Sequence, residues 1–372
     1  MKCIHCGTDS TYKERSGRVC PKCKRKFAFE PREGDPVTDA LFEKAIAKVS
    51  GEGKIRWGVE HLYYEVCRRK KSGQASFVAG IIFAVLSLFF FILVFFAEAP
   101  FAPVGIFSLI TFIATCACIV AVLKRPYVSV DLATFNRLWD RWKAAHGTPE
   151  SVIQRAPEVT LPREFESDLG DYSFDRAVIC DRARTVDLLV ANNFHFENNC
   201  AILSIDGYPQ GPFPIIRKML KRNPKLQVFV LHDASVAGCQ LAHRLVTDPE
   251  WFGGAGLRVI DLGLRPRHAR PFKGLLLRGA GVPLSVGNGL EANELEWLDK
   301  NELALAAIRP EQVLKRLFAG LQAHANDDPR ERDTSGQGSE GGMVTYCGSF
   351  DAGGSGDSGA DSGCDGGADA FG

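Results

Sequence analysis

Four cysteines open the chain in two pairs, Cys3-x-x-Cys6 and Cys20-x-x-Cys23, separated by thirteen residues. Thiolates are soft donors, and two Cys-x-x-Cys knuckles at this spacing supply the four ligands of one tetrahedral zinc. A segment of about 30 residues cannot bury enough apolar surface to fold alone, so metal binding would provide most of its folding energy. The spacing predicts a zinc ribbon over residues 1–30 with Cys3, Cys6, Cys20 and Cys23 as ligands. A thioredoxin-type redox pair occurs once, beside a βαβ pattern, and does not describe this arrangement. His5 sits inside the first knuckle as a spare donor, and Lys22, Lys24, Arg25 and Lys26 surround the second. That basic group reads as a nucleic-acid or anionic-lipid patch, or as a solvated face. The ribbon equally suits recruitment of protein partners.

A second set of chemical groups lies at the ends of apolar runs. Ala177–Cys180 ends at Asp181, Cys200–Ile205 at Asp206, and Gln227–Leu231 at His232-Asp233, with Ser235 two residues on. The elements that must position them alternate. Helical patterns at Thr185–Asn192, Phe213–Lys221 and Val236–Leu245 separate the strands, and Leu257–Leu262 supplies a fourth. Strands alternating with helices of about ten residues call for a parallel sheet with right-handed crossovers. Acids at the carboxyl ends of its strands meet on the edge where open α/β sheets bind ligands. Asp206 has the competing role of capping its Gly-Tyr-Pro turn. His232, alternating to the other face of its strand, reads as a packed core histidine as readily as an acid-base group.

This order of motifs resembles the Toprim domain, most closely that of the type IIB topoisomerase A subunits and the meiotic double-strand-break protein. Val178-Ile179-Cys180-Asp181-Arg182 stands where that family has a strand ending in Glu. Ala201 to Pro209 matches a strand entering a Gly-Tyr-Pro turn, Leu231 to Gly238 matches Asp-x-Asp followed by glycine, and Gly263-Leu264-Arg265-Pro266 matches a later signature. The resemblance covers about residues 175–275. It implies a Mg²⁺ site drawn from Asp181, Asp206, Asp233 and Ser235, with Asp181 and Asp233 as the catalytic acids of nuclease-type phosphodiester chemistry. Two departures make that site degenerate. Asp181 is one methylene shorter than Glu, and Ser235 replaces the second Asp. The family's tyrosine-bearing winged helix has no counterpart in this sequence, so topoisomerase activity is not expected. Arg258, Arg265, Arg267, Arg270, Lys273 and Arg278 form a basic stretch suited to DNA or RNA phosphates, or to keeping a domain soluble.

Phe77 to Phe96 and Val104 to Leu123 are two uncharged runs of twenty residues. Each is long enough to cross a hydrocarbon core of ~30 Å as a helix. Arg68 to Lys71 before the first and Lys124-Arg125 after the second predict a two-pass inner, cytoplasmic membrane protein with both termini cytoplasmic.

The chain of 372 residues has 45 Lys and Arg against 44 Asp and Glu. All six charges of residues 334–372 are acidic, so the first 333 residues carry 45 basic against 38 acidic side chains, a net of +7. Thirteen of those 39 tail residues are glycine, without a triplet repeat, which predicts flexible disorder and excludes collagen.

The expected architecture is a multi-domain membrane protein. It comprises a zinc ribbon (1–30), a helical neck (36–74), a transmembrane hairpin (75–124, spans 77–96 and 104–123), and a helix and linker (125–170). A Toprim-like α/β parallel-sheet domain (171–285), C-terminal helices (286–330) and a disordered tail (334–372) complete it. Two functions follow: association with nucleic acid, with metal-dependent cleavage if the acids hold Mg²⁺, or a non-catalytic membrane scaffold that recruits protein partners.

Overall fold

The computed structural model describes residues 1–70, 127–154, 174–324 and 344–346, apart from 211–212, 224–225, 273, 280 and 282–288; within 71–126 it describes only Ile110 and Ile113. Strands β1 (Arg176–Cys180), β2 (Cys200–Ser204), β3 (Gln227–Leu231) and β4 (Val259–Asp261) form a parallel sheet, and β7 (Val344–Tyr346) extends it. The order is β2-β1-β3-β4-β7. Sheets of this kind are covered on both faces, which is why their strands read as near-continuous apolar runs. Alternate residues face opposite ways. Val178, Ile202, Phe229 and Ile260 enter one core, and Ala177, Ile179, Leu203, Val228 and Val259 enter the other. Because β1 lies between β2 and β3, the strand order reverses there, and the carboxyl ends of β1 and β3 border the crevice where doubly wound sheets place ligands.

The second of these cores is closed by α6 (Phe213–Arg222) and α8 (Leu241–Thr247), through Leu220, Leu241 and Leu245, together with Trp251 and Phe252. The first is closed by α4 (Ala183–Ala191) and α10 (Pro310–Ala323), and it continues without a break into the N-terminal helices. Those are α1 (Asp39–Val49), α2 (Val59–Arg69) and α3 (Leu132–His146), which share Phe42, Leu62, Phe135, Trp139 and Trp142. Local signals start α1 and α3: the Thr38 hydroxyl accepts from Leu41 N–H at 3.2 Å, and Asp131 accepts from Thr134 N–H at 2.8 Å. Trp57, Tyr63 and Tyr64, which as aromatics near a basic flank suit a bilayer interface or a packed pair of helices, are buried in this layer. Glu65 on α2 pairs with Arg309 at 3.1 Å, and Arg56 N–H bonds Asn192 at 2.9 Å, so the neck is fastened to the α/β body.

Several expectations are corrected. Crossing a bilayer takes about 20 apolar helical residues. Among the described residues no helix is long and apolar enough; the longest, α3, has 15 residues and is amphipathic. The runs 77–96 and 104–123 lie outside the described residues, Ile110 and Ile113 excepted. The two-span membrane architecture, the membrane as partner and the two-pass placement are therefore withdrawn. The helix expected over Val236–Leu245 is two short ones, α7 (Val236–Cys239) and α8. The first of the C-terminal helices, α9 (Ala292–Lys300), ends at Lys300. The following residues are drawn into other contacts. Asn301–Glu302 forms β6 against β5 (Leu277–Arg278), and Leu303 bridges Ala234. In the tail, Val344, Thr345 and Tyr346 are three β-forming residues in a row and pair with Val259, Ile260 and Asp261, where disorder was expected.

Candidate functional site

The two cysteine knuckles have the same backbone construction. Cys3 N–H bonds Thr8 O and Gly7 N–H bonds Cys3 O, both at 2.9 Å; Cys20 N–H bonds Arg25 O at 2.9 Å and Lys24 N–H bonds Cys20 O at 3.0 Å. Residues Gly7 and Lys24, each just after the second cysteine, take the left-handed conformation at φ +71° and +62° that turns the chain back. The folded knuckles bring the four sulfurs within 4.8 Å of one another, with Cys3 to Cys23 at 3.7 Å and Cys6 to Cys20 at 3.6 Å. A tetrahedron with metal–sulfur bonds of about 2.3 Å has edges of about 3.8 Å, so the four cysteines can hold a metal ion. Their environments differ. Burial pushes the Cys3 thiol up to about 11. The hydroxyl and then the backbone N–H of Thr8 bring Cys6 down to about 6. The N–H of Cys23 lowers Cys20. His5 is not part of this cluster. Its ring lies 3.3 Å from His146 and 2.9 Å from Arg25, and His146 in turn pairs with the buried Asp39 at 2.8 Å.

The second candidate lies at the carboxyl ends of β1 and β3. Asp181 Oδ2 accepts the Asp233 N–H at 2.8 Å, while its Oδ1 is buried without a partner. Asp233 uses both oxygens, accepting Leu305 N–H at 2.7 Å on Oδ1 and Arg182 Nε at 3.1 Å on Oδ2. Ser235 is consumed as the cap of α7, its hydroxyl accepting Gly238 N–H at 3.1 Å. Asp206 is exposed beyond β2. Among the described residues only the four cysteines bring three or more candidate ligand atoms together, so Asp181, Asp206 and Asp233 form no such group. An octahedral Mg²⁺ asks for several free oxygens at ~2.0–2.1 Å. Here one orphaned carboxylate oxygen is available, and the Arg182 guanidinium already lies on its neighbour. These residues do not fit the ion that the family resemblance implies, and no step is derived through it.

The environment of Asp181 has a measurable consequence. Burial first, and then the Asp233 charge, push its carboxyl up to about 7. The unfolded carboxyl titrates near 3.8, so the folded state is favoured by protonation, and stability is lost as pH rises from about 4 through 7. Asp181→Asn removes that loss. Relative to wild type it is expected to gain stability at pH 8 and to gain none at pH 4, as denaturant titrations at the two pH values would show; a difference independent of pH would contradict the assignment.

His232 is a structural group. Its ring is fully buried, with Nε2 2.8 Å from Asp261 Oδ1 and Nδ1 2.8 Å from Asp233 O. Both nitrogens face acceptors, which suits the doubly protonated imidazolium. Burial alone would lower its pKa, but the Asp261 carboxylate overrides burial and holds the ring well above its ordinary value. Asp261 also accepts Gly263 N–H at 2.8 Å and Arg265 Nε at 3.3 Å, and Arg265 reaches Glu294 at 2.9 Å. A methyl on Gly263 would lie 2.2 Å from His232 Cδ2. With the ring pinned at both nitrogens, Gly263→Ala is expected to cost about 3 kcal/mol, measurable by urea denaturation; a loss below about 1 kcal/mol would show that the ring can move aside.

Sequence reasoning missed Arg182, Glu302 and the Leu305 N–H as partners of the acids. Asp261 carried a signal that was available, since it too stands at the carboxyl end of a strand. Within the basic stretch, Arg265 is buried in the ion network, whereas Arg267 and Arg278 are exposed. Lys22, Lys24, Arg25 and Lys26 are all exposed. No protein-family model matches the chain, and no curated protein or solved structure matches it either.

Proposed function

We propose that this chain associates with nucleic acid through a zinc-held ribbon, and that its Toprim-like α/β body contributes a degenerate acidic site without catalysis. The observation that carries this reading is the exposed group Lys22, Lys24, Arg25 and Lys26, displayed around a knuckle whose shape the four sulfurs fix. An all-thiolate tetrahedral set favours zinc over hard cations such as Mg²⁺. Backbone phosphates are the anions such a surface meets with no requirement for base contacts, so the association would be sequence-tolerant. The net +7 of the first 333 residues supports the same partner.

The absence of catalysis rests on how the acids are used. Asp233 holds the Leu305 backbone and Arg182, and Ser235 caps a helix. Such use also supports a second reading, a non-catalytic scaffold whose ribbon recruits protein partners. The full chain is required to decide between them, because α1, α2 and α3 share a core with the sheet. Incubated with supercoiled plasmid and Mg²⁺ or Mn²⁺, the intact protein is expected to retain the plasmid on a gel without nicking it. Lys22→Gln, Lys24→Gln and Lys26→Gln together would weaken retention. Nicking that disappears in Asp233→Asn would overturn the non-catalytic part, and unretained plasmid would turn the assignment to the scaffold.

A further inference from the structure

The carboxyl ends of β1 and β3 gather more negative charge than the Asp181–Asp233 pair alone. Glu302, from β6, reaches the same place, and one cation sits among the three carboxylates. Arg182 lies 3.1 Å from Asp233 Oδ2 and 3.5 Å from Glu302 Oε1. Burial first, and then the Asp233 charge, raise Glu302. The surroundings are close. A methyl on Gly238 would meet Asp233 O at 2.4 Å and Asp181 Oδ2 at 3.2 Å, so α7 starts directly against the acids.

We propose that the Arg182 guanidinium takes the place of a divalent cation at this position, making Asp181, Asp233 and Glu302 a metal-independent latch. The chemistry of the two cations differs in a way the geometry reflects. A divalent ion collects oxygens at ~2.0–2.1 Å and draws carboxylates together around itself. A guanidinium is planar, stays charged at all accessible pH, and binds through N–H donors at hydrogen-bond distance. Arg182 therefore neutralises part of the cluster while Asp233 keeps an oxygen for Leu305 N–H. Four elements are joined by this arrangement. Asp181 follows β1 and accepts the Asp233 N–H after β3; Asp233 holds the turn Leu305–Ala307; and Arg182 reaches β6. The turn Leu305–Ala307 also receives Arg68 of α2 at the Ala307 carbonyl, so the latch connects the sheet edge to the neck.

Because its cation is covalently part of the chain, the wild-type cluster gains nothing from an added ion. Remove that cation, and Asp233 Oδ2 and Glu302 Oε1 lose the counter-charge they share; a divalent ion can then draw them together with the orphaned Asp181 Oδ1. The test uses the full chain with its ribbon saturated with zinc and free zinc removed, and counts bound Mn²⁺ by the loss of the free-ion electron paramagnetic resonance signal. Wild type is expected to bind no Mn²⁺ saturably and to show no change in Tm across millimolar Mn²⁺. Arg182→Ala is expected to have a lower Tm, to bind one Mn²⁺ per chain, and to recover Tm in proportion to the logarithm of Mn²⁺ concentration. Asp233→Asn added to it should abolish that binding. Arg182→Gln, closer in shape, repeats the experiment should the alanine variant not fold. One Mn²⁺ bound by wild type and lost in Asp233→Asn would overturn the proposal. So would a folded Arg182→Gln that binds none.

Discussion

Cys20→Ser is expected to unfold the ribbon and leave the α/β body standing. The cysteine is fully buried, and the ribbon's own apolar cluster holds only Cys3, Cys20 and Phe27 as buried members. Three side chains bury too little surface to offset the backbone entropy lost when the ribbon is ordered. A metal ion held by the four cysteines would supply the deficit, since binding in small zinc modules is worth about 10–16 kcal/mol. Hydrogen exchange would register the change as protection lost over residues 1–30 and retained over β1 and β3. A chelator should reproduce this in wild type, and added zinc should reverse it. The connection to the rest of the chain sets the limit of the damage. Arg141 holds Asp35 through two bonds of 2.6 and 2.7 Å, and His146 holds Asp39, so α1 and α3 keep their pairing beyond the ribbon. Unchanged protection over residues 1–30 in Cys20→Ser would show that the ribbon folds without its ligands.

Asp261→Ala has the second largest expected effect, a loss of about 3–5 kcal/mol. The carboxylate is the shared counter-ion of His232 and Arg265, all three being buried. Removing it strands two cations where water does not reach, and the full penalty of an uncompensated buried charge follows. Arg265 keeps Glu294 at 2.9 Å, so the greater part of the loss falls on His232. The pH dependence identifies the cause. His232 has a raised folded pKa, so its contribution is complete below about 6.5 and disappears as pH rises through the higher folded value. Burial would raise Asp261, but His232, then Arg265 and the Gly263 N–H, override it and hold the carboxyl below 3.8; its contribution is present above 3.8 and disappears as pH falls toward the lower folded value. The stability difference between wild type and Asp261→Ala should therefore be widest between about pH 4 and 6.5 and narrow on either side. A difference that does not vary with pH would mean that packing, not charge, dominates.

What was legible in the sequence is what local pattern determines. The cysteine spacing identified a cluster that folding brings within 4.8 Å, because each knuckle is closed by hydrogen bonds spanning four or five residues. Strands β1 and β3 announced themselves through Val, Ile and Leu runs that end in an acid, and the parallel sheet follows from helices placed between them. The partners of those acids were not legible, since Leu305 and Glu302 arrive from about 70 residues further along. Arg182 was adjacent to Asp181 all along, but nothing in the pattern of one strand shows that its side chain turns toward the next. Trp57 and Tyr64 suited an interfacial helix and a packed pair of helices alike, because aromatic side chains serve in both, and their burial decides for the packed pair. Arg265 shows the same limit for charge. Counted among neighbours it enlarged a basic stretch, yet its guanidinium is spent on Asp261 and Glu294.

The central claim, that the ribbon meets nucleic-acid phosphates, is tested most directly by the salt dependence of binding. Fluorescence anisotropy of a labelled duplex titrated with the full chain gives the affinity at each salt concentration. The logarithm of the affinity should fall linearly with the logarithm of salt, with a slope of about −0.9 for every phosphate neutralised. Replacing Lys22, Lys24 and Lys26 by Gln should make that slope shallower by about 2.7 if each lysine meets one phosphate. A slope that the triple substitution leaves unchanged, or an affinity that does not respond to salt, would contradict the account.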